Sequence, residues 1–122
     1  MAKMLLLLFG LFAFCGDAIA QESRSYMSGN ELFGQFVHAD PMVRRAAMEY
    51  VVAVIDSKHY LEGAGILPAG VICVPMGVTI GQAGDVVKKY LEDHPERRHY
   101  AAASTVFAAL TIAFPCSQNQ TK

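Results

Sequence analysis

The sequence predicts an all-α fold, a compact bundle of four helices with one long loop that contains glycine and proline. Three observations support this prediction. Apolar residues recur every three or four positions in four separate segments, which is the period of an α-helix. Residues that cap helices, Ser28, Asp40 and Thr79, precede three of these segments. Residues 71–74 alone resemble a β-strand, and no second segment of that kind is available to pair with them.

The first 20 residues have the arrangement of a secretory signal peptide. Lys3 supplies a positive charge, residues 4–14 form an apolar run, and Ala18 and Ala20 are the small residues that precede a cleavage site. We therefore expect cleavage after Ala20 and export into an oxidising compartment. About half of the remaining residues are hydrophobic, as in an ordinary globular domain.

Two alternatives to a cleaved leader are an uncleaved membrane anchor and a lipid attached to Cys15. A helix that spans a bilayer needs about 20 apolar residues, and the run here is much shorter. Phe14 is bulkier than the small residue that lipidation prefers before the cysteine. Cleavage therefore remains the preferred interpretation, and it leaves a chain without a membrane segment.

The first helix of the exported chain is short. Residues 21–27 are polar and aperiodic, which predicts a mobile tail, and the helical domain is expected over 28–116. Ser28 and Glu31 have the spacing of a capping box, in which each side chain bonds the backbone of the other residue. Leucine and phenylalanine then follow at helical spacing to about His38.

The second helix is predicted from Pro41 to about Leu61, with its end near Gly63. Asp40 caps it, and proline is well tolerated at the first helical position. Its apolar stripe consists of Ala47, Val51, Val54 and Ile55. Residues 63–78 are rich in glycine and proline, and we interpret them as an apolar, buried loop that Cys73 holds in place.

The third and fourth helices are predicted on either side of a proline. Thr79 caps the third, which extends from Ile80 to about Asp93. The fourth is expected from Pro95 or Glu96 to Phe114. Its inner seam is predicted to be Tyr100, Ala103, Phe107, Leu110 and Phe114. Residues 117–122 are polar and predict a disordered tail.

The exported chain retains two cysteines, Cys73 and Cys116, because Cys15 leaves with the leader. An even number of cysteines in an oxidising compartment indicates a disulfide. A metal site and a nucleophilic thiol are the alternatives. Neither cysteine has a nearby second cysteine or histidine in the sequence, so a structural bridge is favoured.

Composition and motifs give no support for catalysis or nucleic-acid binding. Ten Lys and Arg residues are balanced by eleven Asp and Glu residues, whereas nucleic acids and anionic membranes require a basic surface. No metal-ligand spacing connects the histidines, so no metal, cofactor or catalytic residue is predicted. Asp56 is the one candidate for a buried acid, with a solvent-facing position as the commoner alternative. The four histidines are His38, His59, His94 and His99.

The charged segment between the third and fourth helices is the predicted recognition surface. We call residues 92–98 the corner. Its candidate partner-binding residues are Glu92, Asp93, Glu96, Arg97 and Arg98. The alternative interpretation is a solvated turn without a partner.

Several motifs, in a fixed order, carry a family resemblance. They are Gly29-Asn30-Glu31-Leu32, Asp40-Pro41, Cys73-Val74-Pro75-Met76-Gly77-Val78-Thr79, His94-Pro95-Glu96 and Phe114-Pro115-Cys116. In this order they resemble the Rap1a/Tai family, periplasmic immunity proteins of type VI secretion systems. The resemblance covers residues 28–116. Many relatives carry a further cysteine pair where this chain has Phe36 and Ala47, an exchange that keeps the core volume similar.

The resemblance implies both a structure and a function. It implies a four-helix domain, often a homodimer, in which Cys73 and Cys116 are joined. It also implies binding to a peptidoglycan-cleaving amidase effector and occlusion of its active site, which requires no catalysis by the immunity protein. A periplasmic accessory or structural protein of the same fold is the alternative. A hydrolase that uses Asp56 or a histidine is a third hypothesis.

Overall fold

The computed structural model describes residues 25–117, and the leader, residues 21–24 and residues 118–122 lie outside it. The predicted signal peptide, most of the predicted N-terminal tail and most of the C-terminal tail therefore fall outside the described residues. Between them lie four α-helices and one 3-10 turn, and no strand is present in that range. The elements are α1 (Gly29–Phe36), α2 (Pro41–Gly63), α3 (Ile80–Asp93), the 3-10 turn (Pro95–Arg97) and α4 (Ala102–Ala113). Every helix contacts the other three, which confirms the predicted all-α bundle.

Side-chain caps begin the first three helices at the predicted positions. At α1, Ser28 Oγ accepts from the Glu31 amide at 3.3 Å, and Glu31 Oε2 accepts from the Ser28 amide at 2.7 Å, which completes the predicted capping box. Asp40 Oδ1 accepts from the Met42 amide at 2.8 Å at the start of α2. Thr79 caps α3, whose bounds are those predicted.

The fourth helix begins later than predicted, at Ala102 and not at Pro95 or Glu96. Backbone groups that would continue a helix are bonded instead to the segment around the start of α1. The Gly29 amide donates to the Tyr100 carbonyl at 2.8 Å, and the Ala102 amide donates to the Met27 carbonyl at 2.9 Å. This long-range pairing keeps the residues before Ala102 out of the helix.

The predicted inner seam of α4 is right only in part. Leu110 is buried, and the partly buried Phe107 and Phe114 pack against the core, whereas Tyr100 and Ala103 are not among the core residues. Tyr100 precedes the helix and is half exposed. The buried residues of α4 are Ala102, Thr105, Val106, Ala109 and Leu110. Since α4 is apolar on most of its faces, periodicity alone cannot identify the face that packs inward.

The core is formed almost entirely by the helices. Its buried hydrophobic residues are Leu32, Phe36, Ala47, Val51, Ile72, Ala83, Val87, Leu91, Ala102, Val106, Ala109 and Leu110. Phe36 and Ala47 are both among them. Ile72 alone comes from the loop between α2 and α3.

The loop at residues 64–79 contains no strand, as predicted, but only part of it is buried. The Ile72 side chain is 2% exposed, whereas Cys73 lies at the surface. Cys73 and Cys116 form a disulfide with their Cα atoms 5.0 Å apart, which confirms the predicted pairing. Among residues 25–117, no helix combines the length and apolar character needed to cross a bilayer.

Candidate functional site

The corner forms the surface that follows the end of α3. It contains the last two residues of α3, His94 as C-cap, the 3-10 turn and Arg98. Four of the five predicted partner-binding residues are exposed there: Glu92, Asp93, Glu96 and Arg97. The fold therefore places these four charged side chains on one solvent-facing segment.

One ion pair and one hydrogen-bonded contact organise the acidic side chains of the corner. Lys89 Nζ lies 2.8 Å from Asp93 Oδ2, and His94 Nδ1 lies 3.1 Å from Glu96 Oε1. The hydrogen bond with Asp93 raises the pKa of Lys89 above its ordinary value. The pKa of Glu96 lies below its ordinary value, first because its own backbone amide bonds the carboxylate and then because of His94. The lowered pKa of Glu96 keeps its carboxylate ionised at neutral pH.

Arg98 differs from the other four residues because its side chain is already engaged within the domain. Its Nε donates to the Leu91 carbonyl at 2.5 Å, and its Nη2 donates to the Glu92 carbonyl at 3.4 Å. Its guanidinium carbon lies 3.7 Å from the centre of the Phe33 ring. Arg98 therefore bonds the last carbonyls of α3 and attaches the corner to α1.

A second surface feature is an open groove of about 980 Å³ beside the disulfide. We call it the disulfide groove. The last part of α2, the loop and the segment after α4 form its walls. Its lining includes Lys58, Glu62, Cys73, Met76 and Cys116. Met76 projects fully into solvent at the rim of this groove.

The buried Lys58 and the partly buried Glu62 form an ion pair that local sequence signals do not indicate. Lys58 Nζ lies 2.9 Å from Glu62 Oε2 and donates to the Ile72 carbonyl at 2.5 Å. The hydrogen bond from Lys58 is the largest cause that lowers the pKa of Glu62, and burial opposes it. Lys and Glu at i and i+4 of a helix usually lie on the surface. Lys58 is buried here because the loop, which follows later in the chain, covers it.

The remaining residues considered for catalysis are not brought together. Asp56 is exposed, and so are His38, His59 and His99. His94 is half-buried. It contacts Glu96, and the centre of its ring lies 4.6 Å from the centre of the Tyr90 ring. Within residues 25–117, no group of three or more potential ligands is placed to hold a metal ion. The described geometry thus offers surfaces for binding, and we assign no reaction to it.

Comparison with known proteins gives one match. The family model of the Rap1a immunity proteins matches residues 28–116. This range includes all four helices, the corner and both cysteines of the disulfide. No match was found among curated proteins or among solved structures.

Proposed function

The chain belongs to the Rap1a immunity protein family, and from this premise we propose that it neutralises a peptidoglycan amidase effector of a type VI secretion system. In this proposal the protein binds the amidase and occludes its active site. The observation that carries the proposal is the family match over 28–116, which spans the complete described bundle. The rest of the structure supports it through the surfaces available for binding.

We place this activity in the periplasm, where an effector would reach peptidoglycan. The signal-peptide pattern of the first 20 residues supports export. The disulfide between Cys73 and Cys116 supports an oxidising compartment, because such bonds are rare in the cytosol.

We propose that the corner contributes to the amidase interface. Glu92, Glu96 and Arg97 are exposed there. Arg98 instead fixes the segment through its contacts with α3 and with the Phe33 ring. Charged side chains on an ordered segment can steer the encounter and select a partner with complementary charges. Because the segment is ordered before binding, little conformational entropy is lost when the complex forms.

The proposed function predicts a gene for a small amidase beside this one, and it is tested by measuring peptidoglycan hydrolysis by that amidase with increasing amounts of the purified protein. We expect hydrolysis to stop at a defined molar ratio of the two proteins. Undiminished hydrolysis in the presence of saturating protein would contradict the proposal.

The role of the corner is tested with charge reversals of matched exposure. We expect Arg97→Glu to weaken inhibition about tenfold, as loss of one well-placed interface charge does. Arg45→Glu is the control, because Arg45 is an exposed residue of α2 that pairs with Glu49 and lies outside the corner. Equal inhibition by the two variants would exclude Arg97 from the interface.

A cellular experiment separates an immunity role from an accessory role. A strain that lacks the gene is grown beside a strain that delivers the amidase, and beside one that does not. An immunity protein predicts loss of survival only in the first pairing. Equal survival in both pairings would contradict immunity.

A further inference from the structure

The disulfide lies at the wall of the groove and is accessible from solvent. Cys73 is exposed, Cys116 is half-buried, and both line the disulfide groove. A thiol or disulfide reagent can therefore approach the bridge from solvent, and Cys73 is the more exposed of the two cysteines. Access of this kind, together with the acidity of the thiols, influences which sulfur takes part in thiol–disulfide exchange.

Contacts that do not involve sulfur hold the two cysteines beside each other. The Ile72 side chain is buried in the core, and the Ile72 carbonyl accepts from Lys58 Nζ at 2.5 Å. The Cys73 amide donates to the Phe114 carbonyl at 3.1 Å. Ile72 immediately precedes Cys73, and Phe114 lies two residues before Cys116. These bonds can therefore position both cysteines before they are joined.

Lys58 is itself firmly positioned. Its side chain is 6% exposed, and Glu62 Oε2 lies 2.9 Å from its ammonium group. A buried ammonium is strongly unfavourable unless it is paired and hydrogen-bonded. The Glu62 carboxylate and the Ile72 carbonyl supply these partners, so moving the loop would leave the ammonium with one partner fewer.

We infer that the Lys58–Glu62 pair positions Cys73 against the end of α4, and that Cys73 is the sulfur at which an external disulfide enters to form the bridge. The reduced Cys73 thiolate attacks one sulfur of a disulfide such as oxidised glutathione and releases one glutathione thiol. The Cys116 thiolate then attacks Cys73 Sγ, forms the bridge and expels the second glutathione. Two electrons pass from the cysteines to glutathione disulfide, and the two thiol protons end on the released glutathiones. This inference does not depend on the proposed immunity function.

The entry sulfur is identified by trapping the first step. The single-cysteine variants Cys116→Ser and Cys73→Ser are exposed to oxidised glutathione, quenched with acid and weighed by mass spectrometry. We expect Cys73 in the first variant to be modified about tenfold faster than Cys116 in the second, since exchange follows access to the thiolate. Equal rates, or faster modification of Cys116, would overturn the assignment.

The positioning role of Lys58 is tested at equilibrium in glutathione redox buffers. We expect Lys58→Met to lower the equilibrium constant for closing the bridge about tenfold, the effect of one charge-assisted hydrogen bond. Lys89→Met is the control, because Lys89 also forms an i, i+4 pair with an acid but lies exposed on α3 and donates its hydrogen bonds to Asp93. We expect the control to equal the native protein. An equilibrium constant in Lys58→Met equal to that of the native protein would overturn the inference.

Far-UV circular dichroism shows whether Lys58→Met folds. Where it does not, a second variant with a smaller change tests the same role. Glu62→Gln preserves the size of the partner of Lys58 and removes its charge. We expect this variant to fold and to lower the same equilibrium constant several-fold, because a neutral partner holds the ammonium less strongly. A native constant in Glu62→Gln would then overturn the inference.

Discussion

At Gly29, α1 lies close to both the corner and α4. A Cβ atom at this position would lie 2.9 Å from the Arg98 carbonyl oxygen and 3.2 Å from Thr105 Cγ2. The first of these is a backbone atom, so it cannot move aside as a side chain would. The close approach also permits the bond from the Asn30 amide to the Arg98 carbonyl at 2.7 Å.

We predict that Gly29→Ala destabilises the protein by about 1–3 kcal/mol, because the added methyl group displaces the backbone of the corner. Gly34→Ala is the matched control within the same helix, since a Cβ there meets nothing within 4 Å. Alanine is favoured over glycine inside a helix, so the control should gain about 0.5–1 kcal/mol. Urea unfolding of both variants measures the difference. Equal stability of the two variants would contradict the close contact.

Glu62 should make the free energy of unfolding depend on pH in the acid range. Its pKa is lowered below its ordinary value of 4.5 in the folded chain, chiefly by the hydrogen bond from Lys58. The unfolded chain therefore takes up a proton from this carboxylate first as pH falls. The stability that the carboxylate contributes is complete above its unfolded pKa and is lost as pH falls through the folded pKa.

We predict that the stability difference between the native protein and Glu62→Gln shrinks as pH is lowered from about 6 to about 3. Glu31 and Glu96 also have lowered pKa values, but both proteins retain them, so the comparison isolates Glu62. Urea unfolding at several pH values gives the difference. A difference that stays constant over this range would show that the Glu62 carboxylate adds no acid dependence.

At the scale of elements, the corner is held by its neighbours on two sides. Arg98 bonds the end of α3 with its side chain and the start of α1 with its carbonyl. Arg97 precedes it in the chain and is exposed. Neighbouring arginines thus have different surroundings, which allows structure and recognition to be tested separately.

We predict that Arg98→Ala lowers the free energy of unfolding by about 1–3 kcal/mol, since it removes two hydrogen bonds and the contact with Phe33. Arg97→Ala should change it by less than about 0.5 kcal/mol, as is usual for exposed residues. Arg98→Lys should not restore stability, because an ammonium cannot reproduce the planar guanidinium contacts. Urea unfolding checks all three variants, and a stable Arg98→Ala would contradict the structural role.

The sequence predicted the helix starts that are set by residues close by in the chain. The caps at Ser28, Asp40 and Thr79 are local, and α1, α2 and α3 begin directly after them. The start of α4 depends on bonds to Met27 and Gly29, about 70 residues earlier in the chain, so local periodicity could not show it. The position of Lys58 is unpredictable for the same reason, since the loop that buries it follows later in the sequence.

The candidate surface could be predicted in part. Charge and the break at His94-Pro95 indicated an exposed corner, and four of its five charged residues are exposed. The sequence could not distinguish Arg98 from Arg97, because the difference arises from contacts with α1 and α3. The disulfide groove requires the loop and the end of α4 to meet, and only the cysteine pair suggested that they do.

At the scale of the whole molecule, the four helices share one core, and the loop adds the buried Ile72 and the partly buried Val71, Val74 and Val78 that pack against it. The disulfide joins this loop to the chain after α4 and closes a segment with a sequence separation of 43. Since the helices bury the core without the bridge, we expect the reduced protein to remain folded. The bridge should then act mainly by restricting the unfolded chain.

We predict that reducing the disulfide lowers the free energy of unfolding by about 4 kcal/mol, as the length of the closed segment implies. This loss is smaller than the total stability of many domains, about 5–15 kcal/mol, so helical structure should persist at 25 °C. Urea unfolding with and without reductant measures the loss, and far-UV circular dichroism before denaturant is added measures the helices. The double variant Cys73→Ser/Cys116→Ser should match the reduced protein and be insensitive to reductant. Loss of helical signal on reduction alone would show that the bundle requires the bridge to fold.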